Sequence, residues 1–227
     1  MAVFLKNLNK QFQIKYIKRK IMNTNLYLAY LSISFFTIIS PGAAILLAIN
    51  NGLYYDLRAV FLSSLANILG LFILSAIAMI GISSILLISG NFLIVMKIIG
   101  AFYLIYLGIK QILNKKTKFI LENDTLNNYY NKFNVFKKGF LIAITNPKPI
   151  LFFSAIFPLF LDKHKDIETQ FFIMTFSFMT ISLCSLMTYG FLSKTARKWF
   201  LKEEALKLFY RISGVLFVLM GIALLLF

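Results

Sequence analysis

Residues 26–55 read LYLAYLSISFFTIISPGAAILLAINNGLYY, without one charged side chain. A helix needs about 20 apolar residues to cross the ~30 Å hydrocarbon core of a bilayer, so this run is long enough to span it. Its first 24 residues read as one span, and Ser40-Pro41-Gly42 interrupts the second half of that span. Proline removes a backbone donor and frees the carbonyl one turn earlier. The stretch therefore predicts a membrane helix broken at mid-depth.

Working outward, residues 59–96 are again uncharged, 38 in a row. That is too long for one comfortable helix, and Ser89-Gly90-Asn91 offers the break. Span two is placed at about 59–88 and span three at about 92–113. Residues 114–136 are polar, and LENDTLNNYYNK within them has no apolar helical face, so they are expected to form a loop. Span four covers about 138–161 and carries Asn146-Pro147-Lys148-Pro149. Residues 162–168 (DKHKDIE) make a charged turn, span five is about 169–192, and span six is about 208–227.

Composition agrees with six spans. Apolar residues make up 59% of the 227 and charged residues 14%, against roughly 45–50% and 25% in soluble domains. One soluble core could not hide so much apolar surface. The chain holds one histidine, His164, and one cysteine, Cys184, and all eight Asp and Glu lie outside the apolar runs. An intrachain disulfide is excluded. A metal site or a membrane enzyme lacks the ligands and acid–base pairs it would need, and no glycine-rich nucleotide loop is present. No cofactor is expected.

Net charge is +16, from 24 basic and 8 acidic residues. Six basic residues lie in 1–20, seven between Lys110 and Lys138, and six between Lys194 and Arg211. They flank apolar runs, as in cytoplasmic loops beside anionic lipid, so the charge points to the bilayer and not to nucleic acid.

The layout repeats. A proline-broken span opens each half, at Pro41 and at Pro147, and two unbroken spans follow. The third members resemble one another: IIGAFYLIYLGI (98–109) and ISGVLFVLMGI (212–222). Three spans per half put the halves in opposite orientations, a plan common among secondary transporters. The fold expected is all-α and polytopic: six transmembrane helices as two inverted three-helix repeats, residues 22–113 and 137–227, joined by a polar loop at 114–136. Gly100, Gly108, Gly214 and Gly221 lie in spans three and six, where small residues let helices approach closely. A homo-oligomer is compatible with this surface.

Broken helices expose backbone dipoles at mid-membrane, tolerated where they face protein or a wet cavity. The candidate substrate pathway is therefore Ser40, Pro41, Gly42, Asn67, Asn146, Pro147 and Lys148. Lys148 has two readings, snorkelling to the interface or facing the bundle interior. It lies about ten residues into its span, some 15 Å by helical rise, which favours the interior. Lys97 is only six positions into span three, and snorkelling is favoured there. Asn67 either joins the pathway or bonds a neighbouring helix. Asp56 is expected to end a solvated loop with Arg58.

These residues carry a family resemblance. SPGAAILLAINNG (40–52), LANILG (65–70), MKIIGAFYLIYLG (96–108), FKKGFLIAITNPKPILFF (136–153) and FPLF (157–160) resemble the LysE/RhtB family of amino-acid exporters, over about residues 22–227. The resemblance implies a secondary transporter in the bacterial cytoplasmic (inner) membrane, exporting an amino acid or derivative on the proton gradient. The chain departs from the family where Ala43 replaces the last proline of a PGP motif. It departs again where Ala66, Gly70 and Leu71 stand in place of a GxxxGD pattern. The alternative is a lipid-handling or structural membrane protein whose breaks serve packing alone.

Loop charge orients the chain. Connections after spans one, three and five hold fourteen basic residues, and the opposite side holds only Lys163 and Lys165. The former side is then cytoplasmic and both termini are outside. Residues 1–20 conflict with that, being basic without an acid. Translation from Met22, with 1–21 as an untranslated extension, removes the conflict.

Overall fold

A computed structural model describes residues 22–40, 42–86, 92–113, 131–162, 164–195 and 203–226. The basic segment 1–21, Pro41, and the body of the polar loop at 114–130 lie outside the described residues. Among the described residues the only regular structure is helical. Helices α1 (Thr24–Ile39) and α2 (Ala43–Tyr54) form the first broken span, and α3 (Leu57–Leu86) and α4 (Phe92–Ile112) follow. Helix α5 (Lys132–Thr145) leads into α6 (Pro147–Leu151), a π-helical turn (Phe152–Ile156) and a 3-10 turn (Phe157–Phe160). Helices α7 (Ile167–Thr195) and α8 (Glu203–Leu226) complete the chain.

Leu57–Gly81 and Ile167–Ser193 are each long and apolar enough to cross a bilayer alone. The pairs α1–α2 and α5 with 147–160 qualify jointly, bent by 51° and 43°. Large apolar side chains stand exposed on the outside, among them Ile77 and Ile80 on α3 and Phe176 and Phe191 on α7. A soluble monomer rarely shows apolar patches of this kind, and lipid is the solvent that suits them. The protein is an all-helical, multi-pass membrane protein.

Two helix starts differ from the sequence expectation. Residues 132–136, read above as the end of the polar loop, are the first turn and more of α5. Asn131 makes that start, its Oδ1 accepting from Phe133 N at 2.9 Å and Asn134 N at 3.4 Å. Asn23 caps α1 in the same way, accepting from Asn25 N at 3.0 Å and Leu26 N at 3.4 Å. Helix α8 is described from Glu203, five residues before the apolar run. Just before α7, Asp166 accepts from the Thr169 hydroxyl and from Thr169 N, and these bonds hold its carboxyl below the usual aspartate range.

Packing crosses between the halves. Helix α5 lies on α3: a Cβ on Gly139 would collide with the Ser63 carbonyl, and one on Gly70 would sit 2.5 Å from Ala143 Cβ. Residue numbers rise together along this pair, so it is parallel. The first broken span lies on α7 in the same sense, with Tyr30 against Met174 and Gly52 against Gly190. Helices α4 and α8 run antiparallel. A Cβ on Gly108 would lie 2.5 Å from Gly214 O, and one on Gly221 2.7 Å from Ala101 O. A Cβ on Gly100 would instead lie 3.2 Å from Ala155 O, on the π-helical turn. The core above the breaks is aromatic, built on Tyr30, Phe152, Phe153 and Phe157, each at most 1% exposed.

Candidate functional site

The first break is made by Ser40. It closes α1 with its N–H on Phe36 O at 3.1 Å, then turns extended at φ −62°, ψ 128°. Gly42 continues extended at φ −158°, ψ −178° and opens α2 without a side-chain cap. The carbonyls left at this end are taken by side chains from distant helices. Tyr189 Oη donates to Ile39 O at 3.0 Å, and Lys148 Nζ donates to Ser40 O at 2.8 Å. Gln111 Nε2 donates to Ser40 Oγ at 2.7 Å.

The second break is made by Asn146, which ends α5 and caps α6. Its N–H reaches Ile142 O at 3.1 Å, its Oδ1 accepts from Lys148 N at 3.1 Å, and its own carbonyl accepts from Ile150 N at 3.4 Å. Pro147 follows at a position where the missing N–H costs nothing. Its carbonyl accepts from Tyr103 Oη at 3.3 Å. Asn146 thereby places Lys148 on the first turn of α6, from which the ammonium crosses to the first break.

Between the breaks lies a cavity of about 60 Å³, room for a few water molecules. Ser40 and Gly42 line it from the first break, and Asn146, Lys148 and Pro149 from the second. Helix α3 contributes Asn67 and Leu71, α7 contributes Phe178, Ser182 and Leu186, and Thr37 comes from α1. Among the described residues Lys148 is the single ionisable side chain in that wall.

Five of the seven residues expected in the pathway thus meet at one cavity: Ser40, Gly42, Asn67, Asn146 and Lys148. Pro147 is exposed and does not line it, while Pro41 lies outside the described residues. Lys97 stands on α4, partly buried, and is not among the residues lining the cavity. Asp56 caps α3, accepting from Ala59 N at 2.8 Å. Leu71, where the resembling family carries an acid, is buried in the cavity wall. Among the described residues no three His, Cys, Asp or Glu side chains come together.

Sequence reading missed Thr37, Gln111, Phe178, Ser182 and Tyr189. Each is an ordinary polar or aromatic residue of an apolar run. Span five alone holds Thr175, Ser177, Thr180, Ser182, Ser185 and Thr188, and nothing in the string separates Ser182 from its neighbours. Gln111 left a faint signal, as an amide near the end of an apolar span.

The comparisons with known proteins agree with this architecture. The chain is 29% identical over 204 residues to the uncharacterized membrane protein YrhP of Bacillus subtilis (strain 168), covering 86% of this chain and 96% of that one. An uncharacterized membrane protein of Vibrio cholerae is 29% identical over 207 residues, covering 89% and 98%. The homoserine/homoserine lactone efflux protein of Salmonella typhimurium is 25% identical over 195 residues, covering 86% and 93%. No solved structure matches the chain. The model of the LysE type translocator family matches residues 35–226, from the first broken span to the end of α8, and the chain belongs to that family of transporters.

Proposed function

We propose that the protein exports an amino acid, or a close derivative, across the cytoplasmic membrane of a bacterium, with the cavity between the two breaks as its binding site. The observation that carries this is the Lys148 bond to Ser40 O, which brings both interrupted helices to one small polar cavity inside an apolar bundle. The membership in a translocator family and the relatives named for homoserine and homoserine lactone efflux support the substrate class.

The chemistry follows from the inventory. An ammonium has three donors and Ser40 O takes one, which leaves Lys148 able to receive a carboxylate. Asn67, Asn146 and Ser182 offer neutral polar groups to the rest of a small zwitterion, and Phe178, Leu71 and Leu186 exclude water around it. A charged side chain at this depth costs about 2.5–3.5 kcal/mol on insertion scales, and such residues in membranes mark pathways. Export is driven by the proton gradient. A proton-coupled step would fall on Lys148, or on the substrate itself, since the described residues of the cavity wall include no acid.

The parallel pairing of α5 with α3 and of the first broken span with α7, beside the antiparallel α4–α8 pair, supports six alternating spans. It also supports two inverted halves, residues 22–113 and 137–227.

Purified protein in proteoliposomes, loaded with homoserine and a panel of other amino acids, tests the reading. Counterflow or pH-driven efflux of at least one of them is expected. Absence of flux for every amino acid would leave the lipid-handling or structural alternative.

A further inference from the structure

Helix hydroxyls in this chain have a default. Ser32, Thr145, Thr180 and Thr188, all on exposed faces, donate to the carbonyl one turn back at 2.7–2.9 Å. Buried Ser64 does the same, to Val60 O at 2.7 Å. Folding the hydroxyl onto its own helix is how such a side chain survives away from water.

Three buried hydroxyls depart from this. Ser34, Thr37 and Thr175 are 0, 4 and 0% exposed, and none bonds the carbonyl one turn back. The Thr37 and Thr175 oxygens have no partner, and Ser34 lies beside the Tyr30 hydroxyl, whose own proton goes to Met174 O. Among the described residues the other unpartnered buried polar atoms are on Asn50, Ser185 and Gln111. The six are confined to the first broken span, to α7, and to the side chain that bonds Ser40. Among the described side chains of α3, α5 and α8 there is none. A buried donor or acceptor left unpaired costs stability, and packing alone would be served by alanine or valine. Five of the six fall on the first broken span and α7, two elements packed on one another, and that placement needs a reason other than packing.

We infer that the seam between the first broken span and α7 is the translocation path. Ser34, Thr37 and Thr175 are its stations between the cavity and the end of α1 that carries Asn23. This rests on the transporter reading above and extends it. Thr37 is in the cavity wall, and Ser34 lies one turn further on the same face of α1. Thr175 lies on the buried face of α7, one turn before Phe178, which is also in the cavity wall. Hydroxyls both donate and accept, so one row serves the ammonium and the carboxylate of a zwitterion in turn. Neutral groups hold either charge weakly enough to release it, as a conducting path requires.

The path is shut on this side in the present conformation. Phe178 packs on Phe152 with ring centroids 4.7 Å apart, and Phe152 packs on Tyr30 at 6.1 Å. Tyr30 is fastened by its hydroxyl to Met174 O at 2.9 Å. Phe152 opens the π-helical turn that follows the second break. A rearrangement of that turn would shift the ring lying between the cavity and Tyr30.

Two measurements test the path. Thr37→Val and Thr175→Val remove a hydroxyl while keeping shape. Each is expected to lower homoserine flux in proteoliposomes at least tenfold, or flux of whichever panel amino acid the unmodified protein carries. The thermal midpoint should stay equal or rise, because an unpaired polar group has been removed. Unchanged flux in both variants overturns the inference, and so does a midpoint that falls in step with the flux. The second measurement needs no substrate. On a Cys184→Ser background, Ser34→Cys is expected to react with a water-soluble methanethiosulfonate at least tenfold faster than the equally buried Ser64→Cys. Equal rates overturn the path. Fast Ser34→Cys labelling without flux of any amino acid would overturn the amino-acid assignment and leave the path standing.

Discussion

The two breaks carry similar sequences and solve the same problem differently. At the second, Asn146 ends one helix and starts the next by itself, with its N–H, its side chain and its carbonyl all bonded within four residues. At the first, the N–H and carbonyl bonds are divided between Ser40, to Phe36 O, and Gly42, from Leu46 N, and no side chain caps α2. The carbonyls of Ile39 and Ser40 are met by Tyr189 and Lys148 from other helices. One break is self-sufficient and presents a cation. The other is incomplete alone and presents an acceptor. Two broken spans that look equivalent as text are, in space, a donor and a receiver, and the cavity exists because one reaches the other.

The sharpest way to break that comparison is to remove the link. Lys148→Gln leaves Ser40 O and a substrate carboxylate without their cation. A hydrogen bond to a charged group is worth about 1.5–3 kcal/mol, so flux should fall by roughly 10- to 100-fold in proteoliposomes. Lys97→Gln, on a residue that does not line the cavity, should change flux by less than about twofold. Equal, small effects from both would mean that Lys148 only reaches for the interface.

A second comparison separates capping from transport. Asn146→Ala and Asn131→Ala each remove an N-cap, at about 1 kcal/mol of stability. Similar losses of thermal midpoint are expected for the two variants. Only Asn146→Ala should also abolish most of the flux, because only Asn146 launches Lys148 into the cavity. If Asn131→Ala is as damaging to flux, the second break has no special place.

Tyr189→Phe tests the dependence of the first break on its neighbours. It leaves Ile39 O unpaired and should cost about 1–3 kcal/mol of stability, read as a lower midpoint, with flux reduced several-fold. The smallest effect is expected from Gly42→Ala. The backbone there is extended in a way open to any residue, and the nearest atoms to an added Cβ, Lys148 Cδ and Ser40 O, are 4.0 Å away. The midpoint should move by no more than the equivalent of about 0.5 kcal/mol. A large loss would show that the glycine is needed in another conformation of the cycle.

The sequence by itself determined the class of protein and the places where its helices fail. Thirty uncharged residues around Ser40-Pro41-Gly42 and a second run around Asn146-Pro147 are enough for that. In hydrocarbon the backbone must satisfy itself, and proline marks where it does not. The polar residues at the breaks were legible for the same reason, and so was Lys148, since a cation deep in an apolar run has few places to go. Only the tertiary structure decided which helices meet. The first broken span lies on α7 and α5 lies on α3, pairings across the halves that no local pattern encodes. With them came the cavity, the choice of Thr37 and Ser182 among many similar hydroxyls, and the use of Tyr189, Gln111 and Tyr103 as partners for freed backbone or for Ser40. A hydroxyl in an apolar run reads the same whether it folds onto its own helix or stays open. Which of the two occurs depends on what stands opposite, and that is set by packing between segments more than a hundred residues apart, as Ser40 and Lys148 are.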